Sequence, residues 1–479
     1  MNALPVNVRN WIRLQARTLL MAIAVIGGVA MTFSLYVAGD LRLLIAAVIA
    51  FVVTAMAMVN IRIAILGMVI FLTFLGDLRR MIIPAAGWSG TDPLLLIGPL
   101  FAILVFAYGW ASGKARVDTP LAKWSLFLIV IMTLQVFNPR QGGLMVGMAG
   151  IMFLMVPLFW FWIGRTFLTE ASMNTLLLKI VLPLSGIALM MGLYQTFYGY
   201  LDYQMDWYWI AGYTALGDPN IGLAPISLFA SATEYGNYLI VAMAIIIAYG
   251  LTKNRSVLLL LPLFFAAVFL TGSRGPVVKI LLVGTGLVGV LGPRKTWLVR
   301  GLFTVVIGVA GFAWVMSGID TSPPEGPRNS LETKFSRQAQ ILDGPGQEGS
   351  TWRIHGYMMI HGYVDGFTDP LGLGLGSVTK AAMKFGGQAA STEADASNVF
   401  RATGLFGGVA YHVMIFFIIV SAFRYWDRTR KPEALAILGV LGVTFLLWLG
   451  GGQYAVSPLV WLCIGALDRF ENGRDTRTP

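Results

Sequence analysis

Along most of this chain, apolar residues run for about 17–22 positions with hardly a charge between them. A helix of that length just crosses the hydrocarbon core of a bilayer. Lipid offers no partner for backbone N–H and C=O groups, so a spanning segment must be a helix or part of a closed barrel. These runs do not alternate apolar with polar residues, so helices are expected. They fall near residues 18–38, 41–59, 61–76, 92–112, 121–137, 143–164, 175–197, 235–251, 256–272, 276–292, 299–317, 399–422, 433–449 and 452–467. The reading is an all-α polytopic membrane protein of about 12–14 transmembrane helices. Composition agrees: 57% of the 479 residues are apolar, 12% are charged, and the mean hydropathy is +0.74. A soluble globule would need far more charge to cover its surface.

The charges sort by loop. If the N-terminus is cytoplasmic, the inside loops hold most of the 34 Lys and Arg, and most of the 23 acids fall outside. That bias supports an even span count with both termini in the cytoplasm. Arg79 and Arg80 break the pattern, paired in an outside loop. Either a neighbouring span is misplaced or they have a task at the outer surface. The net charge of +11 fits basic loops at an anionic leaflet better than nucleic acid, and no nucleic-acid partner is expected. Residues 1–17 carry Arg9, Arg13 and Arg17 one turn apart and read as a cytoplasmic interfacial helix. The apolar run that follows is too long for the core of a cleavable signal. The single cysteine, Cys463, rules out an internal disulfide and reads as a core residue. Three widely spread histidines give no metal site, and no cofactor is expected.

The layout is then a transmembrane bundle over 18–317 with an outer segment near 198–234, a large outer loop over 318–398, C-terminal spans over 399–467, and a cytoplasmic tail over 468–479. Chemistry is expected on the outer segments. The first, YGYLDYQMDWYWIAGY, is either an interfacial aromatic belt or a stacking surface for sugar rings, with Trp207 and Trp209 the natural platforms. Glu234 follows at the re-entry into the membrane, where an acid is costly unless paired or hydrated, and is a functional candidate by default. Arg274, in LTGSRGPVVK, sits between small residues at an outer helix end, suited to a phosphate or to a lipid headgroup. The large loop predicts a helix over 331–342 and a second over 351–364. On the second, Arg353, Tyr357, Ile360 and His361 share a face that can bind an anion and handle a proton. GLGLG at 372–376 lacks the strand–turn–helix setting of a dinucleotide loop, although its N–H groups are suited to a phosphate. The run STEADASN then places Glu393, Asp395 and Arg401 at the outer surface. His412 reads as a satisfied core histidine.

In this order the residues resemble the O-antigen ligase/polymerase superfamily. The features are Ser-Arg-Gly at an outer helix end, a large loop with W-R on a helix, then L-G-L-G-L-G, a short polar stretch with Asn398, and G-L-F-G-G opening a span. The likeness covers about residues 224–408. It implies a GT-C-like, metal-independent, inverting glycosyltransferase. Such an enzyme acts on undecaprenyl-diphosphate-linked oligosaccharides, as donor and acceptor, at the periplasmic face of a bacterial inner membrane. Membrane lipids would surround it, and the family pattern admits a flippase and a chain-length regulator as partners. Arg353 corresponds to the essential arginine of the large loop and Arg274 to that of Ser-Arg-Gly. The chain departs from the pattern twice. Ala224 stands where members often carry an arginine before P-x-S-x-F, and Ser397 stands where ligases carry a histidine before the asparagine.

The missing histidine favours a polysaccharide polymerase, for exopolysaccharide, capsule or O-antigen. Asp395, Glu393, Glu234 or His361 would serve as base, with Tyr357 and Arg401 beside the substrate. The alternatives are an O-antigen ligase acting on lipid A-core, and a polysaccharide or lipid transporter.

Overall fold

The computed structural model describes residues 39–212, 217–218, 222–293, 295–317, 331–339, 351–379, 382–383, 385–386, 391–392, 394–449 and 453–473, with residues 351–355 described by their backbone alone. The basic N-terminal helix, the first expected span at 18–38, the Pro/Gly-rich stretch at 322–327, Glu393 and the last tail residues lie outside the described residues.

The described chain is helical apart from one antiparallel pair of two-residue strands, Gly217–Asp218 with Gly222–Leu223. In chain order the helices are α1 (Leu41–Val59), α2 (Ile61–Met81), α3 (Leu94–Ala111), α4 (Pro120–Gln135), α5 (Leu144–Phe167), α6 (Glu170–Tyr198), α7 (Asp202–Ala211), α8 (Ala232–Thr252), α9 (Arg255–Leu270), α10 (Arg274–Val290), α11 (Trp297–Met316), α12 (Leu331–Ala339), α13 (Thr351–Thr368), α14 (Asp395–Thr429), α15 (Pro432–Val443) and α16 (Val456–Glu471). Eight of them, α1, α2, α3, α5, α6, α8, α11 and α14, are long and apolar enough to cross a membrane; α4, α9 and α15 are shorter apolar helices. The chain is thus a multi-pass helical membrane protein. Local sequence sets the starts. Asp40, Asn60, Thr119 and Ser231 cap α1, α2, α4 and α8 by accepting first-turn N–H groups. Pro120 and Pro432 open α4 and α15, where a missing N–H costs nothing.

The bundle is built around α8. Its residues from Glu234 to Gly250 are all buried, so it is apolar on every side and touches protein on every side. By contrast α11 is scarcely buried and mostly exposed, and lies at the rim. Glycines allow the closest approaches: a Cβ at Gly465 on α16 would meet the Phe161 carbonyl oxygen at 2.0 Å, and one at Gly164 on α5 would meet that of Leu462 at 2.4 Å.

Connections that the charge pattern assigns to one side gather at one end. At the first end Arg42 pairs with Asp92 (2.6 Å), Arg140 with Asp369 (2.6 Å) and Arg401 with Asp365 (2.8 Å). At the other, Arg165 pairs with Asp118 and Asp468, and Lys431 with Glu170 (2.5 Å). We call these the loop end and the tail end. Arg79 and Arg80 belong to the loop end, and their task is structural. Arg79 pairs with Asp92 (3.0 Å) beside the Trp88 ring. Arg80 is buried; it pairs with Asp77 and donates to the carbonyls of Ser227 (2.9 Å) and Phe229 (2.7 Å), tying α2 to the 222–231 loop.

Two segments differ from expectation. The helix predicted over 351–364 runs a turn further, to Thr368. The span expected from 399 starts at Asp395 and is sharply bent at Gly404, whose φ of 67° and ψ of −161° leave the helical region. A short helix, 395–403, therefore folds onto a longer one, 405–429. The bend is held by the glycine run before it. Leu373 and Gly374 donate to the carbonyls of Arg401 and Ala402 (3.0 Å each), capping the short helix, and Leu405 donates to Pro370 (3.0 Å).

Gly404→Ala is expected to cost about 1–3 kcal/mol in backbone strain, and more from a Cβ placed 2.1 Å from the Pro370 oxygen. The midpoint of thermal unfolding in detergent should fall clearly, while Gly311→Ala, which meets nothing within 4 Å, leaves it unchanged. Equal midpoints for the two variants would contradict the bend.

Candidate functional site

The loop end holds most of the residues singled out by sequence. On α13, Gly362 and Gly366 press against Ser397 and Phe400 of the short helix, which turns the opposite edge outward. That edge carries Tyr357 and His361, both exposed, with ring centroids 4.0 Å apart. One turn on, Asp365 holds Arg401 of the short helix at 2.8 Å. The backbone of Arg353 lies one turn before Tyr357. An imidazole, a phenol and a carboxylate–guanidinium pair are thus brought to one accessible helix edge.

Ser273, Arg274 and Gly275 form the turn into α10. Ser273 caps that helix without a side-chain hydrogen bond, and the Gly275 Cα faces open space. A helix N-terminus beginning with arginine presents positive charge and N–H groups to an anion. The large loop reaches this turn: Gln338 on α12 donates to the carbonyl of Phe269 (2.9 Å), and Phe335 packs on Phe269 with centroids 4.8 Å apart. The turn and α13 are joined through the short helix. Lys279 on α10 interacts electrostatically with Asp395, and Ser397, two residues further, touches α13.

Glu234 and Asp395 are not at the surface; each is at least 95% buried. The two carboxylates grip opposite ends of the connection between α15 and α16. Glu234 accepts from Ala455 N (2.7 Å) with one oxygen and from Ala230 N (3.3 Å) with the other. Asp395 accepts from Leu449 N (2.6 Å), and its own N–H donates to Leu446 O (3.0 Å). Beside Glu234, Asn237 donates to Gln453 (3.2 Å). The polar run expected at the surface is likewise folded in: Thr392 donates from N to Asn398 Oδ1 (2.8 Å), and its hydroxyl donates to the same Oδ1 (2.9 Å) and meets the Ser397 hydroxyl (2.6 Å).

The N–H groups of the glycine run are also occupied. Besides the two that cap the short helix, Leu375 N donates to Gln135 O (3.3 Å) and Gly376 N to Gln141 Oε1 (3.0 Å). The run welds α4, α5 and the bend together, and its amides do not point at a ligand. A Cβ at Gly376 would lie 2.1 Å from Val146 O, which explains why no side chain stands there.

The aromatic segment divides. Trp207 is buried, edge-on to Trp88 and beside the Arg80 guanidinium (5.3 Å), so it is a packing residue. Trp209 is 64% exposed and remains available as a platform. Nearby, Tyr203 donates to Asp77 (3.0 Å); burial, and then the Asp77 charge, push its phenol above the ordinary range and keep it a donor. His412 has both ring nitrogens engaged. Nδ1 faces the Gly408 carbonyl (2.8 Å) and must donate, and Nε2 hydrogen-bonds the Tyr363 hydroxyl (2.9 Å), so the ring is satisfied. Among the described residues, no three His, Cys, Asp or Glu side chains gather to hold a metal.

Sequence reasoning missed Lys279 and Asp365. The signal for Lys279 was a lone basic residue in an apolar helix, which marks a functional position by default. The signal for Asp365 was its place one turn after His361. No protein-family model matches the chain, and no curated protein matches it.

Glu234→Gln would replace an oxygen that accepts an amide hydrogen with a nitrogen that cannot. A loss of about 1–3 kcal/mol is expected, measured as a lower midpoint of thermal unfolding. Asp395→Asn should behave alike. An unchanged midpoint together with lost activity would instead make the carboxylate a chemical group.

Proposed function

We propose that this chain is a GT-C-like polysaccharide polymerase of a bacterial inner membrane, joining undecaprenyl-diphosphate-linked glycans at its loop end. The observation that carries the reading is the α13 edge, where the exposed Tyr357 and His361 rings meet at a tilt, one turn beyond Arg353 and one turn before the Asp365–Arg401 pair. In this reading the loop end is periplasmic and both termini are cytoplasmic, as the distribution of basic residues favours.

The donor diphosphate is held by Arg353 and by Arg274 at the start of α10. A guanidinium offers two parallel donors to phosphate oxygens and keeps its charge at any working pH. The acceptor hydroxyl oxygen attacks the anomeric carbon from the face opposite the diphosphate. The bond from that carbon to the diphosphate oxygen breaks, the electron pair leaves with the diphosphate, and configuration inverts. His361 takes the hydroxyl proton and later returns it to water, while Asp365 stabilises the imidazolium. Glu234 and Asp395 serve as anchors of the α15–α16 connection. Trp209 and Tyr357 offer ring faces to the sugars. Diphosphate is already a good leaving group, so the protein supplies mainly position and charge.

The test is product formation by the purified chain in nanodiscs, given an undecaprenyl-diphosphate-linked oligosaccharide with and without lipid A-core. A ladder of longer lipid-linked glycans is expected without lipid A-core. His361→Ala should lower turnover about 10²–10⁴-fold. Arg353→Lys should lose most activity although the charge is kept, and near-normal turnover in that variant would sink the diphosphate role. Product only with lipid A-core would establish a ligase. Donor binding with no new glycosidic bond would move the reading to transport.

A further inference from the structure

At the tail end, away from all of this chemistry, α10, α11, α14 and the end of α16 line a half-open cavity of about 510 Å³. One side is apolar: Val290, Trp297, Ile419 and Phe423, with the Trp297 and Phe423 rings 4.7 Å apart. The other side carries three arginines against two acids, Asp427 and Glu471. Two of the arginines are committed to helix ends. Arg430 donates to the carbonyls of Val290 (3.3 Å) and Gly292 (3.4 Å) and pairs with Asp427 (3.0 Å). Arg428 donates to those of Phe470 (2.9 Å) and Glu471 (2.6 Å). Arg424 differs. Its side chain is 71% exposed, and it stands 4.0 Å from Glu471, beyond a direct hydrogen bond.

We propose that this cavity binds an anionic phospholipid, with the phosphate on Arg424 and an acyl chain along the apolar wall. Three observations support a lipid over a soluble anion. The wall is mainly apolar. The face of α11 leading away from Trp297 is an exposed apolar surface through Val299, Leu302, Phe303 and Val306, which in a membrane meets lipid tails. The tail end also carries Arg165, Arg428, Arg430 and Lys431, the basic side that a positive-inside arrangement turns to the anionic leaflet. Trp297 at the cavity rim suits the headgroup boundary. The proposal stands independently of the glycosyl-transfer reading, because no residue of the α13 edge takes part.

The experiment is native mass spectrometry of the full chain in detergent. It would be offered equal amounts of dioleoyl phosphatidylglycerol and dioleoyl phosphatidylcholine, with and without millimolar inorganic phosphate. The wild type is expected to retain the anionic lipid about tenfold better, the scale of one charge-assisted contact. Arg424→Gln, at an exposed position that folding tolerates, should bring the two lipids to parity. Ile419→Trp, which fills the apolar side, should lower retention of both. Equal retention of the two lipids by the wild type, or a preference that survives Arg424→Gln, overturns the site. Loss of the anionic lipid to inorganic phosphate overturns the lipid assignment in favour of a soluble anion.

Discussion

Irregular backbone at membrane depth must find its hydrogen-bond partners inside the protein, because lipid supplies none. At the loop end of this bundle that constraint decides where most of the charge goes. The connection between α15 and α16 does not continue a helix, and its exposed N–H groups are taken by Glu234 and Asp395. The 222–231 loop dips between helices with Ser227 at a φ of 52°, and its groups are taken by the side chains of Arg80 and Gln195 and by the backbone N–H of Asp77. In both places a charged or amide side chain replaces the water that a soluble loop would use. Such groups are costly to remove, since each deletion leaves a buried amide or carbonyl with no partner.

The same constraint sorts structural polar residues from those open to chemistry. Glu234, Asp395, Arg80 and the amides of 373–376 are spent on backbone. What stays accessible is the α13 edge, the α10 start and the face of Trp209. Candidates that a sequence weighs equally are separated by burial and by the partners already bound to them. In the proposed reading His361 takes the role of base because it is exposed and a carboxylate stands one turn away on the same helix.

Much of the architecture was legible in the sequence, because unbroken apolar runs leave a chain in lipid few choices. From 41 onward the expected spans fall on helices, Cys463 lies in the core as read, and His412 is half-buried with both ring nitrogens engaged. The bend at Gly404 was not legible. GLFGG looks like an ordinary span start, and only the carbonyls of 401 and 402, reached by a loop thirty residues earlier, make it a corner. The polar run before it was read as surface because it is polar, but Thr392, Ser397 and Asn398 satisfy one another and can be buried. Trp207 and Trp209 are two residues apart in one helix, so they must face different directions. Which one faced inward depended on Trp88 and Arg80, distant in sequence.

The α13 edge has a second property that bears on its substrate. Around the Tyr357–His361 pair, Ile360, Val364 and Phe367 are also exposed, and Leu371 follows just past the helix end. A soluble helix would place polar residues at such positions, because a contiguous apolar patch in water is a liability. Here apolar side chains and a proton-handling imidazole occupy the same edge. A soluble sugar nucleotide would use only the polar part. The lipid-linked glycan of the proposed reading would use both, its hydrocarbon chain against the aliphatic residues and its diphosphate and first sugar towards the arginines and His361. The composition of this edge, rather than any one residue on it, is therefore the strongest argument for a donor that arrives through the membrane.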